Sequence, residues 1–104
     1  MAGRKTNPKT SQRTVSFTSK EIQKLPDDKP VVYRILTDGG RNNYTGIAQR
    51  GRVQDRLREH LAEGRDPVPG SRVRIEQAQS ITDARGREER IIARSKPRYN
   101  KRGK

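Results

Sequence analysis

With 104 residues the chain has room for one domain, and with 27% apolar residues any core must be thin. Twenty-five Lys and Arg against twelve Asp and Glu leave +13 at neutral pH. A small globule with that excess repels itself unless a polyanion shares the charge, and nucleic acid is the partner such a balance points to. A membrane surface would ask for a basic helix with a broad apolar face bearing Trp, Phe or Leu. There is no Trp, and the single Phe, Phe17, stands in a polar stretch, so no membrane partner is expected. The absence of Cys excludes a disulfide framework and thiolate metal sites. Met1 to Lys20 has no apolar signal-peptide core, and no transmembrane run follows, which gives the expectation of an intracellular, cytoplasmic protein.

Residues 1–20 carry five basic side chains and no acidic one, so residues 1–28 are expected as a basic, flexible arm. Within it Thr18 and Glu21 can cap one helical turn reaching Leu25. Pro26 and Pro30 then bracket a loop. Val31 to Thr37 is rich in β-branched residues and reads as a strand. Asp38 to Asn43 is turn chemistry, and Tyr44 to Ala48 is the return strand of a hairpin. From Arg52 to Leu61 the period changes: Val53, Leu57 and Leu61 recur every four residues, one face of a helix. Gly64 to Gly70, with Pro67 and Pro69, ends it. Ser71 to Ala78 alternates, with Val73 and Ile75 on one face of a third strand. Ser80 with Asp83 opens a second helix whose apolar face is Ala84, Ile91 and Ile92, ending before Pro97. Gly86 leaves the position of its first turn open. The order β-β-α-β-α implies an α+β fold: a small three-stranded antiparallel sheet flanked by helices. Residues 29–100 form the expected domain and residues 101–104 a basic tail.

Some placements need a reason. At about 100° per residue, Glu88 falls inside the arc of Ala84, Ile91 and Ile92, while Glu89 points away. An inward carboxylate is costly unless a cation or donors meet it, and Arg85 is the only basic residue three or four positions off. A cation-binding role is set against a Glu that reaches solvent beside Arg85. Arg56 and His60, four apart, share a helix face beside the apolar stripe. Tyr33 and Tyr44 fall on adjacent hairpin strands, half-buried by default, although a phenol held beside cations would have a lowered pKa and could accept a proton. Gly46 allows close backbone approach within the second strand. Arg94, Lys96, Arg98, Lys101, Arg102 and Lys104 make a C-terminal basic block suited to phosphates.

In this order the residues resemble the GIY-YIG nuclease family. Val31-Val32-Tyr33 stands where that family has Gly-Ile-Tyr, and Tyr44-Thr45-Gly46, eleven residues on, stands at its Tyr-Ile-Gly. Arg56 with His60 resembles the helical Arg and following His, Glu88 the metal-binding glutamate, and Pro97-Arg98-Tyr99-Asn100 the Pro-x-Tyr-Asn ending. Val31 and Thr45 depart from the pattern at scaffold positions, and the interval from Tyr44 to Arg56 is about two residues longer. The resemblance implies a metal-dependent endonuclease that hydrolyses nucleic-acid phosphodiester bonds, DNA ahead of RNA. It implies Mg²⁺ or Mn²⁺ on Glu88, Tyr33 as general base with Tyr44 orienting the water, and Arg56 neutralising charge on phosphorus. His60 would support the phosphate or Tyr33, and Asn100 would brace the site. Arg50, Arg52, Lys96, Arg98, Lys101 and Arg102 would grip the substrate backbone. Tyr33, Tyr44, Arg56 and Glu88 are then expected on one concave face. The alternative is a non-catalytic basic DNA- or RNA-binding module on the same fold. The small size also leaves open a separate targeting partner protein.

Overall fold

The computed structural model describes residues 12–101, the side chain of Lys101 excepted. Residues Gln12–Ser16 form β1. Thr18 then accepts the Glu21 N–H at its hydroxyl (3.2 Å) and opens a single turn, α1, over Ser19–Ile22. That turn places Ile22 and Leu25 in the core. The hairpin consists of β2 (Val31–Leu36) and β3 (Asn42–Ala48), joined by a turn in which Gly40 has φ of 93°, a value that glycine adopts without penalty. Then come α2 (Val53–Glu59), β4 (Arg72–Gln77), α3 (Ile81–Ser95) and a 3₁₀ turn at Arg98–Lys101. Ser80 caps α3 by accepting the Asp83 N–H at 3.0 Å, and Gly86 lies well inside the helix.

All pairings are antiparallel and the order is β1-β4-β2-β3, so the sheet has four strands where three were expected. The extra strand comes from the segment expected as a flexible arm. Its residues 12–28 are part of the fold: β1 pairs with β4, Val15 and Phe17 pack against the core, and Ile22 and Leu25 lie within it. The polar composition hid this, because an edge strand with one solvent face needs few apolar residues. Residues 1–11, the rest of that arm, lie outside the described residues, as do residues 102–104 of the basic tail.

Strand alternation gives the sheet two different faces. On one, Val31, Tyr33 and Ile35 of β2 join Val73, Ile75 and Ala48 beneath α1 and α2, with Val53 and Leu57 fully buried. On the other, α3 lies over β3 and β2, burying Ala84, and Arg87 pairs with Glu76 of β4. Among the described residues no helix is long and apolar enough to cross a membrane.

The N-terminus of α2 is held from elsewhere in the chain. Arg52, the residue at its N-cap, makes no side-chain capping bond. Asp27, in the loop before β2, accepts the Val53 N–H at its carboxylate and the Gly51 N–H at its carbonyl, each at 2.8 Å. Gln54 adds bonds to the carbonyls of Gln23 and Leu25, tying α2 to α1. Replacing Asp27 by Ala is therefore expected to lower stability by about 1–2 kcal/mol, as for loss of a strong N-cap. Urea denaturation of Asp27→Ala against the wild type measures this, and an unchanged midpoint would refute the remote cap.

Candidate active site at the edge of the sheet

Tyr33 stands directly across from Gly46 in the β2–β3 ladder. A Cβ at Gly46 would lie 2.6 Å from the Tyr33 hydroxyl oxygen, 2.7 Å from its Cζ and 3.0 Å from Tyr44 Cε2. The missing side chain is thus the space in which the phenol lies. Tyr33 is fully buried and its hydroxyl is 2.9 Å from His60 Nε2. His60, the C-cap of α2, is itself buried and places Nδ1 2.9 Å from the Asp66 carbonyl oxygen. A carbonyl can only accept, so Nδ1 carries the imidazole proton. In the neutral ring Nε2 then accepts, and the Tyr33 phenol donates to it. The Asp66 carboxylate stands 3.8 Å from the same Nδ1. Tyr44, half-buried, closes the group, its ring centroid 4.7 Å from that of His60 and 6.1 Å from that of Tyr33.

The electrostatics of Tyr33 are the reverse of those of a phenol held beside cations. Burial pushes the phenol far above its usual range, Tyr44 adds to the rise, and Arg56 is the one neighbour that lowers it, against Glu59 and Glu88. Desolvation wins because the cation is not in contact. The Arg56 side chain is 46% exposed and pairs with Glu59 at 3.7 Å. Tyr33 therefore holds its proton at neutral pH, and its acceptor is His60.

Glu88 is half-buried on α3 and Glu89 is exposed, as their helical phase requires. Among the described residues Glu88 has no hydrogen bond or ion pair within reach. Burial raises its pKa above the ordinary carboxylate value, opposed by Arg85 and reinforced by Glu89. The four residues expected on one concave face do not share a face of the sheet. Tyr33, Tyr44 and α2 lie on one side, whereas α3 with Glu88 lies on the other. Because β3 is the edge strand, the two sides meet around it, and Glu88 acts electrostatically on the Tyr33 phenol. A depression of about 370 Å³ spans this edge, lined by Arg52 and Arg56 from α2 and its cap, Ile47 and Gln49 at the end of β3, and Ile81 and Arg85 of α3.

Asn100 completes the edge. Its side-chain oxygen accepts the Thr45 N–H at 2.7 Å and its amide donates to the Thr45 carbonyl at 2.8 Å. One side chain thereby pairs the outward backbone groups of β3 as a further strand would. Lys96, in the left-handed conformation at φ 48° and ψ 61°, ends α3 and turns the chain toward this contact. Of the residues expected on phosphates, Arg50, Arg52, Lys96 and Arg98 are exposed. Lys101 closes the 3₁₀ turn, and Arg102 lies outside the described residues.

Sequence reasoning missed Asp66, a loop residue with no periodic signal, whose carbonyl sets the His60 tautomer. It also treated Arg85 only as a partner for Glu88, although the residue lines the cleft. No protein-family model, curated protein or solved structure matches the chain.

The close approach at Gly46 has a measurable consequence. Gly46→Ala is expected to destabilise by about 1–3 kcal/mol, the usual cost of overpacking. Because the shortest contact is to the hydroxyl, Tyr33→Phe in the same chain should recover part of the loss. Chemical denaturation of the single and double variants checks both, and a Gly46→Ala protein as stable as the wild type would remove the argument.

Proposed function

We propose that the β3 edge is the active site of a metal-dependent endonuclease acting on nucleic acid, DNA ahead of RNA. The observation that carries the reading is Glu88: a half-buried carboxylate that makes no salt bridge or hydrogen bond among the described residues, with Arg85 of the arginine-lined cleft, one turn back along α3, the cation that acts on it. A cation suits such a group. No cluster of three or more ligating side chains occurs among the described residues. The ion that fits is one satisfied by a single carboxylate, water and substrate phosphate, which is the habit of Mg²⁺ and, in the same role, Mn²⁺. When bound it would stabilise charge on the phosphate and the leaving 3′ oxygen.

The protein's own groups supply the rest. With its pKa raised, Tyr33 is a poor free base; once the enclosed site opens to water, its hydroxyl would take a proton from the attacking water as its own passes to His60 Nε2. The imidazolium so formed keeps its Nδ1–H on the Asp66 carbonyl and gains the Asp66 carboxylate 3.8 Å away. Tyr44 would orient the water. Arg56, exposed at the cleft, would neutralise charge developing on phosphorus. Asn100 braces the strand beneath. Targeting by a separate protein fits a chain of this size, and a cytoplasmic location belongs to the same reading.

One observation favours a second reading, a basic module that binds nucleic acid without cutting it. Tyr33 is fully enclosed and strongly protonated, as a structural tyrosine–histidine pair would be. Incubating the purified protein with labelled plasmid and with RNA, with and without Mg²⁺ or Mn²⁺, separates the two. Absence of cleavage with every metal selects the binding module.

Glu88→Gln is the decisive variant and Glu89→Gln, one residue along and exposed, its control. Cleavage should collapse in the first and persist in the second, with nucleic-acid binding held or tightened in both. Stability provides an independent readout. The folded-state pKa of Glu88 lies above its unfolded value, so its contribution is greatest when it is protonated and is lost as pH rises through the raised value. Glu88→Gln should therefore match the wild type in acid and equal or exceed it at neutral pH. Added Mg²⁺ should raise the melting temperature of the wild type and of Glu89→Gln but not that of Glu88→Gln. Equal Mg²⁺ shifts in the wild type and Glu88→Gln would exclude Glu88 as the ligand.

A further inference from the structure

The sheet face opposite Tyr33 is only partly covered. Since α3 lies over β3 and β2, the neighbouring strands β4 and β1 remain open beside it. At the border between the covered and the open strands, Arg34 of β2 is directly paired across the ladder with Arg74 of β4, and Leu36 with Arg72. Like charges placed opposite one another in a sheet destabilise it. Here the Arg34 side chain is only 23% exposed. Burial, then Arg74, lower its pKa; Glu76 opposes them and Arg94 of α3 adds to the fall.

The acids at hand are few and committed. Glu76 stands 3.7 Å from Arg34 but also pairs with Arg87, which in turn meets Asp83 at 3.4 Å. The guanidiniums of Arg72 and Arg74 are held by neutral acceptors, the Asp38 carbonyl at 3.0 Å and the Thr14 hydroxyl at 3.2 Å. Arg41, in the hairpin turn, lines the same depression of about 360 Å³ together with Arg34, Arg72, Arg74 and Ser95. Arg34 also lines a second hollow with Arg90 and Arg94, whose wall includes the ion-paired Glu76, Asp83 and Arg87. Arg34 is common to both, and the two hollows together are the trough beside α3.

These contacts leave the cations in excess of the acids beside them, and a chain of phosphates is the matched surface for such an excess. We propose that this trough is a second nucleic-acid backbone site, on the sheet face opposite Tyr33, in which Arg34, Arg72, Arg74 and Arg94 contact phosphates. The proposal rests on the nucleic-acid part of the functional reading and not on its chemistry. The protein would hold one backbone at the β3 edge and another segment of backbone, from the same or a second molecule, at the trough.

The test is binding of a fluorescently labelled DNA duplex in EDTA, where no metal-dependent cutting occurs, across a series of salt concentrations. Arg72→Gln/Arg74→Gln should weaken affinity several-fold at moderate salt. The slope of log affinity against log salt should become shallower by about 1–2, as loss of two phosphate contacts requires. Arg41→Gln/Arg94→Gln, on different elements, should act in the same direction, so the result does not hang on the folding of one variant. Affinity and salt slope equal to wild type in both variants would overturn the trough. Unchanged DNA binding with loss of binding to poly-glutamate would overturn it too, in favour of an acidic protein partner. Failure of the nuclease reading shows elsewhere, as absence of cleavage by the wild type with metal.

Discussion

The Tyr33 phenol, laid across a glycine and hydrogen-bonded to a buried histidine, is the contact on which the arrangement of this molecule turns. It joins β2 to β3 through the space at Gly46, both strands to α2 through His60, and α2 to the following loop through the Asp66 carbonyl. Each partner has few alternatives. The buried hydroxyl must find an acceptor, and the imidazole, with one nitrogen committed to a carbonyl, has one acceptor left to offer. Burial encloses the pair, and the same burial keeps the proton on the phenol. Any chemistry here must move that proton along the hydrogen bond to His60 instead of relying on a free phenolate.

The second organising constraint is that β3 is an edge strand with substantial structure on both of its sides. Such an edge presents unpaired backbone groups, which Asn100 meets at Thr45 with both ends of its amide. The strand thus becomes a ridge, with α2 on one flank and α3 on the other. The arginine-lined cleft crosses its end. On the sheet face away from Tyr33, the trough around Arg34 and Arg74 places a second concentration of positive charge.

The two functional readings differ in what they ask of the same atoms. As a nuclease, Glu88 is a ligand and the Tyr33–His60 bond a proton path. As a binding module, the first is an isolated carboxylate tolerated at a helix edge and the second a packing device. The clustering of cations at the ridge and in the trough serves both, because phosphate affinity precedes any cleavage.

Much of this was already legible in the chain. A β-branched run located β2, turn residues β3, four-residue spacing α2, alternation β4, and the Ser80–Asp83 start α3, because a strand and a helix face impose different patterns on neighbouring residues. Thr18 and Ser80 announced their helices, since a capping hydroxyl acts within three residues. The half-burial of Glu88 beside an exposed Glu89 followed from helical phase alone. What local pattern could not contain were pairings between distant segments. β1 became a strand because β4 offered it an edge, and a sequence with one apolar residue in five does not advertise that. Tertiary structure likewise decided that α3 covers the face away from Tyr33, that the phenol is enclosed enough for burial to outweigh Arg56, and that Arg34 meets Arg74 across the ladder. Phase along one element is a property of neighbours in the chain. Desolvation, strand order and cross-strand charge depend on which remote residues arrive alongside, and only the folded chain determines that.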